Sequence, residues 1–149
     1  MQLITILPVV LAGLTTALPA VLQSQTITDD IIWSVSNFTL GCSQGGCVFN
    51  YDIDGSQNTM TPKFHTHCDG IADKKVLCDD ENITTIVSPA GYSTDGNPEW
   101  NVDITHTWRA SLSDNSLATY FQHGAKNVAV PDHAPVQFVM KPTQEYGIA

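Results

Sequence analysis

The sequence predicts an all-β fold: one antiparallel β-barrel or β-sandwich of about seven or eight short strands, stapled by two disulfides. Three observations predict it. Apolar and polar residues alternate with period two in several segments. Gly, Pro, Asn and Asp clusters separate those segments. An even set of four cysteines, Cys42, Cys47, Cys68 and Cys78, follows an apolar leader.

The leader is Met1 to Leu14, an uncharged apolar run closed by the small residues Thr15, Thr16 and Ala17. That is the layout of a secretory signal peptide, with cleavage expected after Ala17, or after Ala20. Pro8 and Gly13 interrupt the run, and polar Gln23 and Ser24 follow it, so it is short for a membrane span of about 20 apolar residues. Residues 1–17 are therefore read as the leader and 18–149 as one secreted domain, with frayed ends over about 18–28 and 141–149.

Ile31, Trp33 and Val35 share one strand face. Phe38 and Leu40 continue on the opposite phase, which predicts a bulge or bend near Ser36–Asn37. Cys47 to Asp54 is the clearest strand, with Cys47, Phe49, Tyr51 and Ile53 on one face, and it stops at the turn dipeptide Asp54-Gly55. Thr61 to His67 reads as the next strand, with a turn expected at Asp69-Gly70. Val76 to Cys78 and the β-branched Ile83 to Val87 follow. Ser88 to Pro98 reads as a long loop. Trp100 to Trp108 alternates again, and Ser116 to His123 and Val136 to Met140 complete the set. Leu112 to Gln122 could be taken for a helix, but its Ser, Asn, Asp and Thr residues weaken that reading.

The 149 residues carry 15 acids and 6 bases, a net charge of -9, with 42% hydrophobic residues. A folded globule is expected. Nucleic acid is excluded as a partner, because it would need clustered Lys and Arg, and the six bases are scattered. No membrane insertion and no cofactor are expected. Asp79-Asp80-Glu81 reads as a solvated turn, since calcium loops need alternating ligands around a glycine.

In an oxidising compartment four cysteines make two disulfides. The C-x4-C and C-x9-C spacings fit no common zinc pattern. Three connectivities remain open from the residues alone. The local pairs Cys42–Cys47 and Cys68–Cys78 are preferred, because Ser43-Gln44-Gly45-Gly46 is a flexible turn between the first two. No unpaired cysteine is then left for a covalent dimer.

Asp30 to Phe38, with Trp33, Val35 and Phe38, resembles the opening strand of a family of fungal secreted β-barrel proteins: the Alternaria-type major allergens and related hypersensitive-response-inducing protein elicitors. Phe64 to Lys74, with His67-Cys68-Asp69-Gly70 and Ala72-Asp73-Lys74, resembles that family's strand, cysteine and turn, closed by a later cysteine that Cys78 can supply. The resemblance covers about Asp30 to Val87 and supports pairing Cys68 with Cys78. It implies a secreted, non-catalytic fungal elicitor or effector-like protein recognised by a plant host receptor or defence protein, with a small aromatic compound as a further candidate partner. The family supplies no catalytic residues to carry over.

Five histidines could carry chemistry: His65, His67, His106, His123 and His133. His65 and His67 share a strand face and could begin a metal site. The plainer expectation is that both face water and that His106 is a hydrogen-bonded, half-buried histidine. Trp100, His106 and Trp108 are the candidate ligand or partner surface. Trp100, just after the Gly96 to Glu99 loop, is the one expected to be partly exposed. No G-x-S-x-G elbow marks a nucleophile. A small extracellular hydrolase or metal-dependent enzyme using His65, His67 or His106 is the alternative function. A carrier of small hydrophobic or aromatic ligands is the second. Asn37-Phe38-Thr39 and Asn82-Ile83-Thr84 are glycosylation sequons, so Asn37 and Asn82 are candidate glycan sites.

Overall fold

The computed structural model describes residues 21–22, 31–131 and 134–148. The leader, its cleavage site and His133 lie outside them. The described residues form β1 (Val21–Leu22), β2 (Trp33–Ser43), β3 (Gly46–Gly55), β4 (Phe64–Ile71), β5 (Val76–Leu77), β6 (Ile83–Tyr92), β7 (Pro98–Ser111), β8 (Leu117–Ala129), β9 (Val136–Met140) and β10 (Gln144–Ile148). They make two antiparallel sheets, in the orders β1-β10-β8-β7-β6-β5 and β4-β3-β2-β9. The sheets share one core and do not close into a barrel, so the fold is a sandwich.

The hairpin β2–β3 follows from its sequence. Trp33 and Val35 are buried, Ser34 is not, and the register slips between Ser36 and Thr39. Asn37 sits there with φ 55°, in the left-handed region that Asn tolerates better than most residues. This bulge moves the apolar phase by one, so Phe38 turns inward and is fully buried. Gly46, with φ 122°, closes the hairpin, and Cys42 and Cys47 face each other across it as a disulfide.

The second disulfide, Cys68–Cys78, joins β4 of the smaller sheet to the residue after β5 of the larger one. Backbone bonds seal the same edge. Ala72 N donates to Cys47 O at 2.9 Å, Asp73 N to Val87 O at 2.8 Å, and Asp79 N to His67 O at 2.9 Å. One side of the sandwich is thus closed covalently and by hydrogen bonds. The chain between these contacts is short, so a small loop holds two sheets in register.

The core is aromatic and β-branched. Trp33, Phe38, Tyr51, Ile53, Ile83, Val87, Val102 and Ile104 are all fully buried. Phe38 and Tyr51 lie 5.7 Å apart, and Trp33 meets Phe64 edge-on at 5.9 Å. Burial pushes the Tyr51 phenol above its ordinary pKa.

Three expectations are corrected, and strand pairing reaches into both ends expected to fray. Thr61 to Lys63 precede β4, and β4 runs on through Asp69 and Gly70, which pair with Asn50 and Phe49. Gly70 serves close packing rather than a turn there: a Cβ would lie 2.7 Å from Val76 Cγ2. Ser88 to Tyr92 are not loop but the end of β6, which passes Pro89 by a register shift at Gly91, φ 116°. The segment 141–149, expected to fray, contains β10, whose Gln144–Ile148 pair with Thr119–His123 of β8. Within 18–28, Val21 and Leu22 pair with Ile148 and Gly147.

Candidate functional site

Strand β7 places three of the candidate residues. Its alternation turns Trp100, Val102, Ile104, His106 and Trp108 toward the core. Trp100 is 7% exposed, His106 2% and Trp108 7%. Trp100, the one expected to be partly exposed, is therefore buried, as are His106 and Trp108. A strand rises about 3.4 Å per residue, so Trp100 and Trp108 stand roughly 27 Å apart and belong to different ends of the sandwich.

At one end Trp100 walls a groove of about 380 Å³ with Leu40, Gly41, Cys42, Pro98, Val130 and Pro131. A second hollow of about 290 Å³, lined by Thr39, Val48, Asn50 and Ala134, shares Leu40, Gly41, Val130 and Pro131 with it. Its described lining is mostly apolar, with Thr39 and Asn50 as the polar side chains. It suits contact with a largely apolar or aromatic surface.

At the other end His106 lies between Phe64, ring centroid 4.5 Å away, and Trp108, 4.9 Å away. Trp108 in turn stacks on Tyr120 at 5.5 Å. His106 was expected to be half-buried and hydrogen-bonded. It is instead fully enclosed, and its Nδ1 has no hydrogen-bond partner among the described residues. Burial lowers its pKa from 6.5 to about 4, against a smaller upward pull from Asp80, so the ring is neutral at neutral pH.

Directly across the ladder from His106 is Gln122, fully buried. Its Nε2 donates to Thr61 Oγ1 and to Glu145 Oε2, each at 2.9 Å. This buried polar set was not anticipated. Gln122 lies on the inward phase of β8, between the buried Ala118 and Gly124, which was a usable signal. Glu145 lies in the polar tail, where no alternating pattern marks β10.

The histidine pair of β4 lies on the outer face of the smaller sheet. Each ring meets an aspartate on β3: His65 Nδ1 is 2.9 Å from Asp54 Oδ1, and His67 Nδ1 is 2.8 Å from Asp52 Oδ1. Both pairs are direct register partners. Asn37 Nδ2, at the β2 bulge, donates to the other oxygen of Asp52 at 2.8 Å. Hydrogen bonds from Asn37 and then His67 hold the Asp52 carboxyl below its usual pKa, and the bond to Asp52 chiefly raises that of His67. On the outer face of the larger sheet, His123 Nε2 meets both oxygens of Asp103 at 2.9 Å. Among the described residues, no three His, Cys, Asp or Glu side chains converge to hold a metal ion.

Both sequon asparagines are exposed. Asn37 is held by Asp52, and Asn82 Nδ2 donates to Asp80 Oδ1 at 2.9 Å in the acidic turn. All four cysteines are in the two local disulfides. Among the described residues no helix is long and apolar enough to cross a membrane.

Comparison with protein-family models, curated proteins and solved structures gives no match for this chain.

Proposed function

We propose that this chain is a secreted, non-catalytic protein of the fungal elicitor or effector-like kind, recognised through its surface by a plant receptor or defence protein. One observation chiefly supports the reading: none of the three His–Asp pairs lines the hollows beside Trp100 and Trp108. The His–Asp pairs of β3 and β4 stand on an open sheet face, where the His65 and His67 side chains are 67% and 43% exposed. The grooves beside Trp100 are lined mainly by apolar residues, with Thr39 and Asn50 as polar members. An enzyme needs convergent polar groups in a cleft that excludes water. A recognised protein needs a durable exposed surface, and the two disulfides are consistent with a protein built for the extracellular space. The test is infiltration of purified mature protein into leaves beside a heat-denatured control. Defence-associated cell death from the native protein alone is expected. Equal responses, or none, would refute the reading.

The Trp100 groove favours a second reading, a carrier of small hydrophobic or aromatic compounds. Its size lies within the range of ordinary ligand pockets, about 300–1,000 Å³. Saturable quenching of tryptophan fluorescence that disappears in Trp100→Leu would support it.

A further inference from the structure

The outer face of the smaller sheet carries an arrangement that elicitor activity does not require. Along β4, His65, His67 and Asp69 occupy alternate positions on the side away from the core, while Phe64, Thr66 and Cys68 are buried. On β3, Asp54 and Asp52 stand opposite His65 and His67. An ionised carboxylate only accepts hydrogen bonds, so each contact places the proton of a neutral ring on Nδ1. The lone pair of each ring is then on Nε2. A histidine that binds a metal through one nitrogen usually gives its other N–H to a carboxylate, which fixes the tautomer and raises the basicity of the ligating atom. Here two rings on one strand face both have that support.

The spacing suits a shared ion. Residues two apart on a strand are separated by about 6.7 Å. Two imidazoles ligating one zinc at about 2.1 Å need their nitrogens no more than about 4.2 Å apart. The rings have only to lean toward each other, and both are partly exposed and free of core packing. Asp69 on the same face, and Asp79, whose backbone N–H binds His67 O, add negative field around His67. The carboxylates that hold Nδ1 leave only two direct ligands, so such a site keeps water on its remaining positions.

We infer that His65 and His67 bind a divalent transition metal of the zinc and copper(II) class through their Nε2 atoms, with Asp54 and Asp52 as positioning residues that hold Nδ1. This inference does not rest on the proposed elicitor function.

The experiment titrates the metal-free mature protein with Zn²⁺, following the ring signals of the histidines by NMR and the heat of binding by calorimetry. One ion per chain is expected, with Nε2 of His65 and His67 perturbed and His106 and His123 unmoved. His65→Asn and His67→Asn should each weaken binding at least about tenfold, and the double variant should abolish it. Asp52→Asn should weaken it about 10- to 100-fold while leaving both rings in place. Circular dichroism confirms that each variant is folded. Zinc binding that survives in the double variant would overturn the inference. So would the absence of saturable binding, or equal competition by Mg²⁺, which prefers oxygen ligands and would point to the carboxylates alone.

Discussion

Enclosure of His106 should make the fold lose stability in mild acid. The ring is packed between Phe64 and Trp108, and burial holds its pKa at about 4 against 6.5 when free. In the unfolded chain His106 takes up a proton near pH 6.5; in the folded protein it does so only near pH 4. Between those values the unfolded state binds more protons, so stability falls as the pH falls. The full difference corresponds to about 3 kcal/mol, a large share of a domain's typical 5–15 kcal/mol. The assay is urea unfolding, followed by tryptophan fluorescence, at neutral pH and at about pH 4, for the native chain and His106→Phe. Phenylalanine keeps a flat ring beside Phe64 and Trp108 and cannot titrate. Comparing the two proteins cancels the other acid-sensitive groups, including His67. That group works in the opposite sense: its raised pKa adds stability at low pH, which is lost as pH rises through its folded value. The native chain should lose about 3 kcal/mol more than the variant on acidification. Parallel losses would refute the claim that His106 is folded in as a neutral ring.

Three further outcomes are expected. Replacing the pair Cys68–Cys78 by serines should destabilise by about 3 kcal/mol, and Cys42–Cys47 by about 2, on the chain-entropy relation, read by thermal unfolding. The first should also expose the seam between the sheets to hydrogen exchange, because that disulfide joins them. Gly55→Ala should destabilise strongly, since a Cβ there would fall 2.0 Å from the Phe64 ring, whereas Gly41→Ala, with open space around it, should change stability little. N-terminal sequencing of protein from culture supernatant should begin near Leu18; an intact Met1 on membrane-bound protein would contradict the leader reading.

Strand identity was legible in the sequence wherever one face met the core and the other met water. Cys47 to Asp54 and Trp100 to Trp108 alternate cleanly for that reason. The bulge at Asn37 was legible because the apolar phase changes there without a turn signal. Strand ends were harder to read. Gly70 looks like a turn residue, but its lack of a side chain admits Val76 of β5, a tertiary reason with no local trace. Pro89 and Gly91 look like loop punctuation, yet a bulge absorbs them in β6. The candidate site suffered most. Trp100 follows a loop in sequence, but its inward phase on β7 overrides that neighbour and buries it. The Gln122 to Glu145 bond joins residues whose strands pair only once β10 docks on β8. The cross-strand register of Asp52 with His67 and Asp54 with His65 likewise needs the β3–β4 pairing, although the two alternating patterns were visible separately.

The claim that the protein acts by being recognised, without catalysis, is tested most directly by the leaf response to folded variants. Native protein, chelator-treated native protein, and His65→Ala, His67→Ala and His106→Phe, each checked by circular dichroism, are infiltrated at equal concentration. The account predicts defence responses of equal strength from all of them. A loss by orders of magnitude in a well-folded histidine variant, or after chelation, would contradict it and favour a metal-dependent enzyme.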